Sequence, residues 1–205
     1  MTDTMEPSVP LVILAAGAST RMGEAKQLLK IEGELLLHRI VRIGQEAEFA
    51  PLIVVTGARQ EAISAHLDDL PVQQAYNPDW ETGMGSSVST GLAVALELMP
   101  EAPAIGFVLT DQPYVSTALL RGMKARLLDT EAAGIAATYQ QTLGVPAIFR
   151  AALYPQLRQL KGQKGAKPLL RKYADELIAY PFPQGHIDLD TPQDWQAYLR
   201  QARAD

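Results

Sequence analysis

Two cations follow a loop of small residues near the start of the sequence. The apolar run over residues 11–16 predicts a buried β-strand, which breaks at Gly17 into a loop that carries Arg21, with Lys26 shortly after it. Small residues leave backbone N–H groups uncovered, so an anion can approach them closely, and the two side chains add positive charge. The stretch has neither the P-loop nor the dinucleotide-binding spacing. It predicts a triphosphate site with Arg21 and Lys26 as clamps, or else a tight strand-to-helix turn with two solvated cations.

Carboxylates occur at two later points of the chain. Asp111 comes directly after an apolar run, and Asp188 and Asp190 belong to a short acidic segment near the end. Mg²⁺ prefers hard oxygen ligands and is commonly held by one or two carboxylates plus substrate phosphates. Asp111 is therefore either a metal ligand or part of an Asx turn or helix cap. Asp190 is the candidate second ligand, whereas Thr191 and Asp194 are spaced to cap a helix.

Two further regions carry polar or basic residues. The segment 77–87 offers backbone amides, a side-chain amide and the hydroxyls of Ser86 and Ser87, which could read the edge of a base. The same serines are candidate helix caps, and an ordinary loop around a buried tryptophan has the same composition. Residues 144–149 and 161–167 form either a second anion pocket or a hairpin-like turn beside a solvated basic loop.

The elements that must position these residues alternate along the chain. Apolar segments predict strands at residues 11–16, 51–57, 72–76, 104–110, 135–139, 146–149 and 177–180. Helical patterns separate most of them, which predicts an α/β fold with a mainly parallel sheet covered on both faces. Ligands of such folds bind beyond the carboxyl ends of the strands. Because no linker divides the chain, we expect residues 1–8 to be a flexible lead-in and residues 9–205 to form one domain.

Composition excludes several classes of protein. The chain has 205 residues and no cysteine, which rules out disulfide frameworks, thiolate metal sites and cysteine nucleophiles. The formal net charge of −5 argues against a broad nucleic-acid-binding surface, although a small phosphorylated ligand needs only a local basic pocket. No run approaches the roughly 18 apolar residues of a membrane span, and the N-terminus lacks the pattern of a signal peptide. We therefore expect a cytoplasmic protein that binds neither a membrane nor nucleic acid.

Six motifs in this order resemble the MobA-like nucleotidyltransferase family, and within it the molybdenum cofactor cytidylyltransferase (MocA-type) branch. They are LAAGASTRMGEAKQLL (14–29), NPDWETGMGSSVSTG (77–91), TDQPYV (110–115), GVPAIF (144–149), LKGQKGAK (160–167) and DLDTPQDW (188–195). The resemblance implies a three-layer α/β/α Rossmann-like nucleotidyltransferase fold with a mostly parallel, partly mixed sheet. It also implies that CMP is transferred from CTP to the terminal phosphate of a molybdopterin-type cofactor, with release of pyrophosphate and with Mg²⁺ as the metal.

The resemblance also implies roles for individual residues. The nucleotide-binding set is Leu14, Ala15, Ala16, Gly17, Arg21, Lys26, Gly83, Ser86 and Ser87; the catalytic set is Arg21, Lys26 and Asp111; the metal ligands are Asp111 and Asp190; and the acceptor side has Pro146, Lys164 and Lys167. In the family, alanine at the position of Ala16 goes with CTP, whereas the guanylyl branch usually has glycine there. Gln163 stands where the family often has aspartate, which concerns the acceptor.

Two other functions stay open at this point. One is transfer of a nucleotide to a sugar phosphate or polyol phosphate by another enzyme of the same fold. The other is a non-catalytic carrier or insertion protein for the molybdenum cofactor. The presence of Arg21, Lys26 and Asp111 favours catalysis. An enzyme of this kind could also deliver its product to a client molybdoenzyme.

Overall fold

The computed structural model describes residues 7–23 and 25–201. Its main sheet consists of β1 (Leu11–Leu14), β4 (Leu52–Thr56), β5 (Gln73–Tyr76), β6 (Ala104–Leu109), β7 (Gly134–Tyr139), β8 (Thr142–Arg150) and β9 (Leu177–Pro181). The strand order is β5-β4-β1-β6-β8-β7-β9. Only β8 runs antiparallel to its neighbours within this sheet, which confirms the mostly parallel, partly mixed arrangement. A separate small hairpin is formed by β2 (Lys30–Ile31) and β3 (Glu34–Leu35).

Helices cover both faces of the main sheet. They are α1 (Leu36–Glu46), α2 (Gln60–Ser64), α3 (Met84–Leu98), α4 (Thr117–Leu128), α5 (Tyr154–Arg158), α6 (Lys167–Lys172) and α7 (Pro192–Gln201). Successive strand residues point to opposite faces. Leu11 and Ile13 therefore pack in one core with α1 and α4, whereas Val12 and Leu14 pack in a second core with α3, α5 and α6. The predicted three-layer α/β/α fold is confirmed. Among the helices of the described residues, none has the length and hydropathy that a membrane span requires.

The direction of the strands brings distant parts of the sequence to one edge of the sheet. β1 is parallel to both β4 and β6, so the carboxyl ends of these three strands lie side by side. Ala15, Gly57 and Asp111 follow those ends within two residues. This edge is where an open α/β sheet binds its ligands.

Three sequence predictions differ from the structure or lie partly outside the residues that it describes. β8 is longer than the segment 146–149, because its first residues pair with the end of β7. The capping role of Ser86 and Ser87 is wrong: α3 begins at Met84 and is preceded by Gly83, with no side-chain cap, so both serines lie inside the first turns. Residues 1–6 of the lead-in are outside the described residues, and the Ser8 hydroxyl donates to the Ala50 carbonyl at 2.6 Å.

Candidate active site

A cavity of about 320 Å³ lies at the carboxyl edge of the sheet, between the loop after β1, the start of α3 and the end of β6. Seven of the residues predicted to bind nucleotide or metal line it: Leu14, Ala16, Gly17, Lys26, Gly83, Ser87 and Asp111. Ala15 instead faces the opposite core, where it is buried with α1. The structure therefore places three features around one cleft: the loop after β1, the segment 77–87, here called the base-side loop, and the metal-ligand candidate Asp111.

Four charged side chains form a continuous ion-pair cluster beside this cavity. The Lys26 ammonium donates to Asp111 Oδ2 and, at 2.7 Å, to Asp190 Oδ1. Arg21 Nη2 donates to the other oxygen of Asp190, also at 2.7 Å. The side chains of Lys26 and Asp111 are only 14% and 12% exposed, whereas that of Arg21 is 66% exposed. The cluster thus has a largely enclosed centre, formed by Lys26 and Asp111, and an exposed cation, Arg21.

Neighbouring charges shift the pKa of Lys26 and of Asp190. Burial by itself would lower the pKa of Lys26, but the neighbouring carboxylates of Asp111 and Asp190 outweigh it, and the pKa is raised. Burial would likewise raise the pKa of Asp190, but the hydrogen bond and charge of Lys26, together with Arg21, hold it below its ordinary value. Both groups therefore stay charged at neutral pH.

Gln27 holds the loop after β1 in place. Its side chain is buried, and its amide donates to the carbonyls of Ala15 at 2.9 Å and Gly17 at 3.3 Å. The next residue back is Lys26, whose backbone N–H donates to the Ser19 hydroxyl. Sequence reasoning missed Gln27. The only available signal was its position next to a candidate cation, because nothing local shows that an amide will be buried.

Asp190 follows a residue whose backbone is hydrogen-bonded to Asp111. The N–H of Leu189 donates to the carbonyl of Asp111 at 2.9 Å, and the Leu189 side chain is fully buried. Asp190 follows directly, and Thr191 and Asp194 form the predicted reciprocal cap at the start of α7. The buried Leu189 thus fixes this segment beside Asp111, and Asp190, the next residue, contacts Lys26.

The base-side loop is tied to the segment 161–163. Gly83 has a φ of +119°, and a Cβ there would collide with the backbone of Gly162, so only glycine fits. The N–H of Gly85 donates to the Gly162 carbonyl at 3.0 Å. Gln163, on the far side of this contact, lines the cavity.

Hydrogen bonds within the base-side loop occupy several of its polar groups. The buried Asn77 amide donates to the hydroxyls of Ser86 and Ser87, each at 2.9 Å. The single O–H of Ser86 lies within reach of the Gly83 carbonyl at 2.8 Å and the Asp79 carbonyl at 3.0 Å and can donate to either, and Ser86 does not line the cavity. Ser87 is the serine that lines it.

The residues expected on the acceptor side are not gathered at the first cavity. Pro146 is buried within β8, and Lys164 is exposed between β8 and α6. Lys167, also exposed, begins α6 and lines a different cavity. The structure brings the nucleotide and metal candidates together but leaves these three residues outside the cleft.

The carboxylates fit a divalent cation of the magnesium type. Asp111 Oδ1 is buried and has no hydrogen-bond partner among the described residues, while Oδ2 already pairs with Lys26. Burial and the charges of Asp111 and Asp190 raise the pKa of Asp188 to about 6, although this residue reaches solvent. The described residues contain no preformed cluster of three metal-binding side chains. A cation here would therefore complete its shell with phosphate oxygens and water, as Mg²⁺ commonly does.

Sequence comparisons show which known proteins this chain resembles. The family model described as the MobA-like NTP transferase domain matches residues 11–177. The purine catabolism protein PucB of Bacillus subtilis (strain 168) is 28% identical, with 92% of this chain and 95% of PucB aligned. A probable molybdenum cofactor guanylyltransferase of Synechococcus elongatus is 29% identical, over 91% of this chain and 95% of that protein. The nicotine blue oxidoreductase of Paenarthrobacter nicotinovorans is 31% identical, over 84% and 86%.

Solved structures show the same fold. Rv0371c from Mycobacterium tuberculosis H37Rv superposes with a TM-score of 0.82 at 26% identity, covering 96% of this chain and all of that one. A complex of the same mycobacterial protein with manganese gives a TM-score of 0.77 at 25% identity, covering 94% and 98%. The family match spans most of the chain, and the fold is that of the solved structures. This chain therefore belongs to the MobA-like NTP transferase family of nucleotidyltransferases.

Proposed function

We propose that this chain is a metal-dependent cytidylyltransferase that transfers CMP from CTP to the terminal phosphate of a molybdopterin-type cofactor and releases pyrophosphate. The observation that carries the proposal is Lys26, whose ammonium joins carboxylates from two distant parts of the chain at the border of a 320 Å³ cleft. The relative named as a molybdenum cofactor guanylyltransferase supports the acceptor class.

The reaction requires positioned charge more than covalent chemistry. An oxygen of the acceptor phosphate attacks the α-phosphorus of CTP, a new P–O bond forms, and the bond from the α-phosphorus to the bridging oxygen breaks to release pyrophosphate. Lys26 and Arg21 neutralise the triphosphate and its leaving group. A phosphate monoester is largely ionised at neutral pH, because its second pKa is about 6. No side chain has to act as a general base.

Asp111 and Asp190 are the proposed ligands of the metal, and Mg²⁺ is the proposed ion. When bound, the ion supplies charge neutralisation at the phosphate oxygens. The manganese complex of a relative supports a divalent cation in this family. Because Lys26 now pairs with both carboxylates, we expect it to exchange one of them for phosphate when substrate binds.

Ala16 is the proposed determinant of the base. It lines the cavity next to Trp80, and a Cβ on the neighbouring Gly57 would lie 2.9 Å from the Ala16 methyl and 2.8 Å from the Trp80 Cβ. Ala16 and Trp80 therefore pack closely against Gly57 behind this part of the cavity wall. A methyl group here favours the smaller pyrimidine base of CTP over the purine of GTP.

The test is a pyrophosphate-release assay with purified protein, Mg²⁺ and each of the four nucleoside triphosphates. Molybdopterin cofactor is the acceptor, with sugar phosphates and polyol phosphates in parallel reactions. We expect release with CTP and the molybdopterin cofactor. Release only with a sugar or polyol phosphate would move the chain to that class of enzyme. Tight binding of the finished cofactor without release would make it a carrier.

One relative is named an oxidoreductase, so the assay needs a redox arm. Absorbance changes of added electron donors are followed in the absence of any triphosphate. The ion-pair cluster favours nucleotidyl transfer, and we expect no turnover in this arm. Cell fractionation and co-purification of molybdoenzymes test the remaining parts of the proposal, a cytoplasmic location and delivery to a client enzyme.

A further inference from the structure

A second cavity, of about 700 Å³, lies between the β7–β8 turn and α6. Its lining includes Gln141, Thr142, Leu143, Lys167, Leu170 and Arg171. β6 and β7 both run antiparallel to β8, so they are parallel to each other, and the turn after β7 lies at the same edge as Asp111. The two cavities therefore lie at the same edge of the sheet.

The segment from Gln163 to Lys167 connects the two cavities. Gln163 lines the first cavity, and Lys167 lines the second. The two cavities are thus linked by a backbone segment of five residues.

Two cations of this cavity lack partners. Lys167 and Arg171 are four residues apart on α6 and line the same cavity, and neither side chain makes a hydrogen bond or ion pair with any residue that the structure describes. Like charges at this spacing repel each other on a helix. A bound anion would remove that repulsion, and a guanidinium can hold a phosphate through two parallel hydrogen bonds.

The rest of the lining suits a ring with polar edges. Leu170 is buried and Leu143 half-buried, and both pack in the core under α6. Gln141 and Thr142 are exposed at the turn and offer an amide and a hydroxyl. The cavity combines an apolar wall, two cations and neutral hydrogen-bonding groups.

We propose that this second cavity is the acceptor site, that its ligand is a phosphate monoester carried by a planar ring, and that Arg171 sets the affinity for it together with Lys167. The inference rests on the proposed function, because it assigns that reaction's acceptor. It adds Arg171, which lies outside the six sequence motifs.

The test compares Arg171→Ala with Lys172→Ala. Lys172 is the next residue on the same helix and has the same charge, but its ammonium lies 5.0 Å from the centre of the Tyr173 ring and does not line the cavity. With CTP and molybdopterin cofactor, we expect Arg171→Ala to raise the KM for the acceptor at least tenfold. The KM for CTP and kcat should change less than twofold, and Lys172→Ala should leave all three values unchanged. Arg171→Lys should recover part of the loss. Equal effects of Arg171→Ala and Lys172→Ala would overturn the assignment.

A binding measurement separates this inference from the proposed function. 6-Hydroxymethylpterin monophosphate is titrated against the protein without nucleotide, with pterin fluorescence as the readout, and glucose 1-phosphate is tested as a competitor. Binding that is lost in Arg171→Ala and kept in Lys172→Ala supports the site, even when no triphosphate gives pyrophosphate. No binding to the wild-type protein, or binding only of the sugar phosphate, overturns it.

Discussion

Lys26 is the residue on which the candidate site depends. It joins Asp111, at the end of β6, to Asp190, near the end of the chain, and its side chain is largely enclosed. Arg21 pairs with Asp190 in a far more exposed position. Exposed ion pairs contribute little to stability, so Arg21 can leave Asp190 for a phosphate at small cost. Lys26 links the two carboxylates at the enclosed centre of the cluster, and Arg21 is the more easily released of the two cations.

Asp111→Asn is the first prediction at this scale. The substitution keeps the shape of the side chain but removes the negative charge that would hold the metal. We expect kcat to fall at least about 1,000-fold, since metal charge stabilisation supplies several kcal/mol. Pyrophosphate release measures the loss, and circular dichroism checks that the fold is kept. Asp129→Asn, at the exposed end of α4, is the control. Full activity of Asp111→Asn would rule out its role as a metal ligand.

Ala16→Gly tests the choice of base. Removing the methyl group widens the cleft beside Trp80, so a purine should be accepted more readily. One methyl-sized contact changes specificity by about 10-fold or more, and we expect the ratio of kcat/KM for CTP to that for GTP to fall by about tenfold. Ala58→Gly makes the same change in the loop after β4, does not line the cavity, and controls for backbone flexibility. An unchanged ratio in Ala16→Gly would assign base selection to other residues.

At the scale of elements, α7 and the segment before it complete the site. The family model ends at residue 177, so Asp190 comes from beyond the matched region. Leu189 packs in a small core with Ile31, Leu36 and Tyr198, which joins α7 to the β2–β3 hairpin and α1. The position of Asp190, a proposed metal ligand, is therefore coupled to this third core as well as to the sheet.

Leu189→Ala tests that dependence. Leucine-to-alanine changes in a core cost about 2–5 kcal/mol, so the free energy of unfolding should fall by about 2–4 kcal/mol. Because Asp190 is the next residue, the Mg²⁺ concentration for half-maximal activity should rise as well. Leu199→Ala, which packs on the same core from α7, should lower stability without that rise. An equal change in the metal requirement of both variants would mean that Leu189 has no special positioning role.

At the scale of the whole molecule, the site joins the two ends of the chain. Arg21 and Lys26 come from the first strand–loop unit, and Asp190 comes from the last. The chain carries a formal net charge of −5 and yet holds two local groups of cations, one in each cavity region. The proposed anionic substrates would thus be recognised by local charge and not by the overall field.

Because these contacts join distant parts of the chain, we expect nucleotide and metal, bound together, to raise the Tm. At 100 times its Kd, a ligand of the native state adds about 2.7 kcal/mol, and each kcal/mol shifts the Tm of a chain of this size by about 2–4 °C. We expect CTP with Mg²⁺ to raise the Tm by about 5–10 °C in scanning fluorimetry. Asp111→Asn should show little shift with the same mixture. An equal shift with CTP alone would indicate that the metal does not contribute to binding.

Local sequence determined much of this protein. The apolar runs predicted the seven strands of the main sheet, and the cap formed by Thr191 and Asp194 was visible from residue type and spacing. Strand alternation with helices implied the layered fold and the edge that carries Gly17 and Asp111. These features are local or periodic, so they can be read without knowing which distant segments meet.

Only the tertiary structure decided the rest. Gln27 and Leu189 matter because of what buries them, and their partners lie up to 78 residues away in the case of the Leu189 contact with Asp111. Ser86 and Ser87 fall inside α3, which begins at Met84 and whose Gly85 N–H donates to the carbonyl of the distant Gly162. Arg171 gained a role only when α6 and the β7–β8 turn enclosed a cavity. Burial and long-range pairing depend on the whole packed chain, and no local pattern of residues encodes them.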